Sequence, residues 1–370
     1  SQGLLRIEDE QNGNNKEVYY RATARSYVLD FAIGLETKEK ILDNRRIIGS
    51  ILQQKYHIDL DQIAAKLIDD SLKLTKGMNL LISTGKFNLP LVEKLLLEAG
   101  RRGIYTTLLY QDLDQLKARA EQYSLSAFQA DYENFNRKLR EADVYLNLNS
   151  ESRNVEITDP EKFKIRSRML EKGRRIIKEK QIRLAMMPSL LYDTLSDQAI
   201  ESEVQFWNAL DIDYQLLSDK TIAMCERFVN KDVVEIVGNS ASFLFNIDSI
   251  WGECGSFGEG KFQSPIINLP GGEILIIPNQ GTMQRKIIGD RAVALGEEIT
   301  RPVVEIANNE IASFSAETNQ QQLAKAIEMG GKDGRKVALI CLGTNDNIRG
   351  GDIDIALKHK SNGFMSVYWG

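Results

Sequence analysis

"MNLLISTGKFNLPLVEKLLLEAGRRGIYTTLLY", residues 78–110, changes its apolar period twice. A short apolar run at 79–83 reads as a strand. Pro90 then opens a helix, Gly100 or Gly103 stops it, and 104–110 reads as a second strand. A strand, a helix and a strand in that order form a βαβ unit, which pairs its strands in parallel and needs both sheet faces covered. Upstream, 60–74 reads as a helix ended by "TKG". Downstream, "ADVYLNLN" (142–149) and "QIRLAMMP" (181–188) are two more strands, separated by a helix that Asp159 caps and Pro160 begins. The expected body is an open, doubly wound α/β domain over 59–230, closing with helical segments around 198–210 and 213–229.

The texture changes near Asn230. From "DVVEIVGNSASFLFNID" (232–248) onward, short alternating strands with Gly, Asn and Pro turns dominate, interrupted by one helix in "NQQQLAKAIEMGG" (319–331). An α+β domain over 231–370 is expected. The first 58 residues stand apart: a polar start, the strand-like "VYYRATARSYVLDFAIGL" (18–35), then Ile41, Ile47, Ile48 and Ile51 at helical spacing. They read as an additional N-terminal segment.

A chain of 370 residues exceeds what one core usually covers, and a hydrophobic fraction of 42% is enough to fill two. The net charge of −5 comes from interspersed acids and bases, which gives no footprint for nucleic acid or an anionic membrane. No signal peptide or membrane-spanning run is visible. Cys225, Cys254 and Cys341 are odd in number and lack metal-knuckle spacing, so a reducing, cytoplasmic setting is expected.

The chemistry-bearing residues are sparse. "STGKFN" (83–88) lacks the spacing of a phosphate-binding loop. Only His57 and His359 exist, which leaves almost nothing for a histidine metal site or a Ser-His-Asp triad. His57 reads as a surface or helix-start residue, and His359, within "LKHKSNG" (357–363), as part of a solvated turn. "IWGECGSFGEG" (250–260) carries Glu253 and Cys254, but a cysteine nucleophile needs a base or positive charge to make thiolate, and no histidine is near in sequence. Asp352 and Asp354 alternate on one face of an expected strand, as a solvent-facing edge or as an oxygen-rich cation site. Glu273 is a lone carboxylate in "INLPGGEILIIP" (267–278), between a glycine pair and an apolar run.

"SLKLTKGMNLLIS", "LPLVEKLLLEAGRRG", "DPEKFKIRSRM", "INLPGGEILIIP", "LGTN" and the terminal "SVYW" fall in the order found in the thermophilic-type metallo-aminopeptidases, the aminopeptidase T and aminopeptidase S group, which the chain resembles over residues 60–370. The resemblance implies an N-terminal α/β domain, a C-terminal domain carrying two metal ions, and a homodimer. The family's metals are held by a glutamate in an "NLPxGE" turn, a second glutamate before a "GTN" segment, a strand histidine and a closing His-x-Asp pair. The first ligand is kept as Glu273. The others fall on Leu339, Asp354, Tyr368 and Gly370, so four of five differ. If Gly370 ends the chain, its α-carboxylate is a further stand-in for the closing aspartate.

Two-metal hydrolysis needs several anionic or imidazole donors to hold both ions and activate a bridging water. Glu273 with Asp354 would hold at most a single weakly bound divalent cation such as Mg²⁺ or Ca²⁺, so no cofactor is expected beyond that. The leading expectation is an aminopeptidase-like protein without the two-metal centre, which binds a peptide or protein partner, for instance in a specialised biosynthetic route. One alternative is a divergent hydrolase or peptide-tailoring enzyme using Glu273, Asp352, Asp354, Tyr368 and Cys254 or Cys341. Another is a structural dimeric subunit with the first 58 residues as an interaction arm.

Overall fold

The computed structural model describes residues 6–12, 15–21, 53–85, 88–111, 113–148, 155–187, 197–229, 233–237, 242–258, 262, 264–295, 297–348 and 355–369. The expected helical pattern of Ile41, Ile47, Ile48 and Ile51 lies outside them, as do Asp352, Asp354 and Gly370. From the N-terminal segment they include an antiparallel hairpin, β1 (Arg6–Asn12) and β2 (Asn15–Arg21). The chain forms two compact units: Ser1–Tyr214 with Gly255–Gly258 and Ser264–Gly271, and Gln215–Cys254 with Glu259–Gln263 and Gly272–Gly370. A single cut in the sequence does not describe this division.

The first unit starts its α/β body with α1 (Leu60–Lys66), whose N-cap Asp59 accepts from the backbone N–H of Asp61 at 2.9 Å and of Gln62 at 3.2 Å. The helix expected over 60–74 changes form after Lys66: Leu67–Ser71 is a π-helical stretch, with Leu72 N donating to Leu67 O at 2.7 Å. Then come β3 (Asn79–Thr84), α2 (Leu89–Arg101), β4 (Tyr105–Tyr110), α3 (Leu113–Gln122), α4 (Leu125–Arg140), β5 (Val144–Leu148), α5 (Pro160–Lys180), β6 (Arg183–Met186) and α6 (Asp197–Leu210). Pro90 and Pro160 sit in the first turns of α2 and α5, where a missing N–H costs nothing, and Asp159 caps α5 as its spacing predicts.

Five strands pair in parallel in the order β10-β6-β5-β3-β4, where β10 is Ile266–Asn268. The chain leaves β3 toward β4 on one side and β5 toward β6 on the other, so the strand order reverses direction between β3 and β5. Leu81, Leu109 and Tyr145 from the sheet pack with Leu139 of α4 and Ile176 of α5. Burying such apolar side chains contributes on the order of 1.5–3 kcal/mol each.

The second unit opens with α7 (Tyr214–Phe228) and continues through β7 (Val234–Val237), β8 (Ser242–Phe245), β9 (Ile247–Glu253), β11 (Glu273–Pro278), β12 (Gln284–Ile288), β13 (Arg291–Ala294), β14 (Glu297–Thr300), β15 (Val303–Ala307) and β16 (Glu310–Ser315). It ends with α8 (Gln320–Met329), β17 (Val337–Gly343), the short α9 (Ile355–Lys358) and β18 (Met365–Trp369). One antiparallel sheet has the order β18-β17-β11-β9, another β16-β15-β12-β8-β7, and β13 pairs with β14 alone. Phe243, Phe245, Ile274, Ile276, Met283, Ile299, Leu323 and Ile340 form its core. This is the antiparallel, turn-rich texture expected after 231, with a helix where "NQQQLAKAIEMGG" puts it. The architecture is a doubly wound α/β body plus an α+β body. Among the described residues no helix is long and apolar enough to cross a membrane.

Candidate functional site

Glu273 is the first residue of β11, and the turn before it is tightly constrained. Gly272 has φ +116°, and a Cβ there would lie 2.5 Å from Cβ of Asn345. Only glycine passes that approach without displacing backbone. Gly272 N donates to Glu253 O and Thr344 N donates to Gly272 O, both at 2.8 Å, so the "GGE" and "LGTN" turns are hydrogen-bonded to each other. Asn345 N in turn donates to Lys360 O at 2.9 Å, and Ser361 Oγ donates to Ile348 O at 2.7 Å. These bonds pin the stretch after α9 against the turn that precedes Glu273.

Side chains alternate across a strand, so register partners share a face. Ile274, Ile276 and Ile340 point into the core. The opposite face carries Glu273 level with Glu253 and Gly343, Cys341 level with Leu275 and Ser366, and Leu339 level with Tyr368. Glu273 and Cys341 are both buried, and Tyr368 is half open to solvent.

The buried carboxylate has two nitrogen-bearing neighbours. Lys360 Nζ lies 2.8 Å from Glu273 Oε1, and His359 Nε2 lies 3.2 Å from Oε2. Lys360 is only 6% exposed, so the contact is a buried ion pair. Burial by itself would raise the Glu273 pKa. The Lys360 charge and the His359 hydrogen bond overcome it and hold the group down at about 2. The neighbouring groups move the other way. Burial and the Glu273 charge push the Cys341 thiol far above the thiol range, with the thiol hydrogen-bonded to that carboxylate. Burial, then Cys341 and Glu273, push the Tyr368 phenol up to about 12. The His359 ring stands edge-on to Tyr368 with centroids 6.3 Å apart.

This corrects the reading of His359 as part of a solvated turn. Its side chain is 14% exposed and faces Glu273, because the backbone bonds to "LGTN" draw the segment inward. Lys360, which the sequence does not single out, is the closest neighbour of the carboxylate. No local signal marks it, since a lysine beside a turn normally reads as solvated. Glu253 is brought level with Glu273, while Cys254 turns away toward Ser218, Thr221 and Cys225. Cys254 is buried, with its thiol pushed up to about 11 by burial. His57 is exposed just before the α1 cap, as expected.

The donor chemistry can be weighed against two metal ions. Among the described residues no three His, Cys, Asp or Glu side chains are disposed to hold a metal. The ammonium of Lys360 occupies the approach to Glu273, Leu339 offers no lone pair, and a phenol that stays protonated to about pH 12 is a poor ligand. Among the described residues, the side chains at the expected ligand positions do not fit a dinuclear centre.

The fold is of the aminopeptidase type. The chain superposes on wild-type AmpT from Thermus thermophilus with a TM-score of 0.57 at 17% identity, covering 76% of this chain and 77% of that one. It also aligns with 2,5-dihydroxypyridine dioxygenase from Pseudomonas putida KT2440 at a TM-score of 0.46 and 11% identity, over 78% of this chain and 77% of that one. No family model matches the chain, and no curated protein matches it in sequence.

Proposed function

We propose that this protein is an aminopeptidase-fold member that has exchanged its two-metal centre for an internal ion pair and binds a peptide or protein partner without cleaving it. One observation carries the reading: Lys360 Nζ stands 2.8 Å from the carboxylate that would be the retained metal ligand. A cation built into the chain neutralises Glu273, so a divalent ion there would meet like-charge repulsion from Lys360. Leu339 and Tyr368 at two other ligand positions point the same way.

An enzyme built on the same face has some support, because Glu273, Cys341 and Tyr368 share it. The protonation states argue against it. A carboxylate near pKa 2 is a weak general base at neutral pH, and a thiol and phenol held protonated are weak nucleophiles. The test combines metal analysis after incubation with zinc or cobalt, turnover of aminoacyl substrates, and fluorescence polarisation with labelled peptides. Peptide binding without turnover and without stoichiometric metal is expected. Stoichiometric transition metal accompanied by turnover would sink the proposal.

A further inference from the structure

Within the first unit, α4 and α5 end side by side. Asn136 Nδ2 of α4 donates to Met169 O of α5 at 3.2 Å, and beyond the helices Arg183 N donates to Asp143 O at 3.1 Å, where β5 and β6 begin as parallel neighbours. The two helix ends, 137–141 and 172–180, carry eight basic residues and two acids, Glu141 and Glu179, in a chain whose net charge is −5. Arg137, Arg140, Arg174, Arg175, Lys178 and Lys180 are exposed, and Lys138 and Lys172 are half-buried.

Basic side chains in a last helical turn are ordinary, because they meet the partial negative charge of the carbonyl end. That accounts for Arg137, Lys138 and Arg140 on α4 and for Lys178 and Lys180 on α5. It does not reach Lys172, Arg174 and Arg175, which lie more than a turn before the end of α5. Local pairing does not neutralise the surface either. Arg137 donates to the neutral Asn134 Oδ1 at 2.7 Å, and Arg174 stands 3.8 Å from Glu171. Among the described residues the other six basic side chains form no ion pair.

The form of the surface selects among anions. Neither segment contains an aromatic residue on which a base could stack, and Leu139 and Ile176 are buried, so no large apolar side chain stands ready to enter a membrane. The acidic chain as a whole opposes a long polyanion that would run past these helix ends. From Lys172 to Lys180 the axis of α5 advances about 12 Å, a length that an extended polypeptide covers in about four residues.

We propose that the paired ends of α4 and α5 dock a short acidic polypeptide segment of a partner protein. The surface is independent of Glu273 and stands or falls apart from the reading above.

Fluorescence anisotropy with the full chain tests this, using labelled hexaglutamate, hexaglutamine and an oligothymidylate of the same charge as hexaglutamate, alongside flotation with phosphatidylserine-rich vesicles. Hexaglutamate should bind saturably and weaken as salt rises, and hexaglutamine should not bind. Arg140→Glu with Lys178→Glu should weaken hexaglutamate binding about tenfold or more, since two exposed attractions become repulsions. Lys325→Glu with Lys332→Glu, the same charge change on exposed positions of the second unit, should leave it unaltered. Thermal melts confirm that both variants fold. Absence of saturable hexaglutamate binding, equal binding of hexaglutamine, tighter binding of the oligothymidylate or the vesicles, or an equal loss in the two variants would each overturn the proposal.

Discussion

Leu339 and Tyr368 stand directly opposite one another on β17 and β18. Two positions at which the aminopeptidase resemblance expects metal ligands are therefore neighbours on one face, the face that holds Glu273. Neither side chain is one of the donors that the resemblance expects there.

Removing Lys360 should strand a buried anion. Lys360→Met is expected to destabilise the second unit by about 3–5 kcal/mol, read by urea denaturation, because the partner charge is left uncompensated. The double variant Glu273→Gln, Lys360→Met should recover most of that loss. A single variant as stable as the parent would show that the pair is not what keeps Glu273 ionised.

The same pair sets a pH dependence. The folded Glu273 group sits at about 2, below the value of about 4.3 for an unfolded glutamate. Its stabilisation is therefore complete above pH 4.3, on the order of 3 kcal/mol, and is lost as pH falls from there toward 2. The stability gap between the parent and the Glu273→Gln, Lys360→Met variant should change across that window. A flat gap throughout counts against a lowered Glu273 pKa.

Rebuilding ligands should not suffice to recruit metal. Leu339→Glu with Tyr368→His is expected to take up no stoichiometric zinc while Lys360 remains, as measured by elemental analysis. Adding Lys360→Ala to that background should raise zinc affinity. Full zinc occupancy with Lys360 still in place would remove the case for the lysine as the resident cation.

Thiol chemistry gives a simpler check. Cys225, Cys254 and Cys341 are all buried, with thiols pushed up by burial, Cys225 to about 12. Iodoacetamide at pH 7.5 should label none of the three in the folded protein and all of them in denaturant. Rapid labelling of native Cys341 would reveal a reactive thiolate and revive the enzyme reading.

Gly272→Ala should lower stability by about 2 kcal/mol or more, since it adds both a strained φ and a 2.5 Å contact with Asn345. A thermal melt unchanged from the parent would mean the turn relaxes freely.

The parallel βαβ body was legible because its signals are local. Pro90, Asp159 and Pro160 act on backbone groups within a turn of themselves, and apolar period distinguishes strand from helix without reference to the rest of the chain. The antiparallel texture after 231 and the helix Gln320–Met329 were legible for the same reason. The assignment of Ile266–Asn268 to the parallel sheet was not, because three residues carry no period and their partner β6 lies far back in the sequence.

Glu273 could be picked out from its glycine turn and apolar run, but its partners could not. The sequence by itself determined the element types, the constrained "GGE" turn and the absence of ligand chemistry at Leu339. Only the tertiary structure decided that Lys360 and His359, 86 and 87 positions away in reverse order, close on that carboxylate. Pairing between distant charges depends on backbone hydrogen bonds from "LGTN" to the segment after α9, and such long-range contacts leave no periodic trace in the chain.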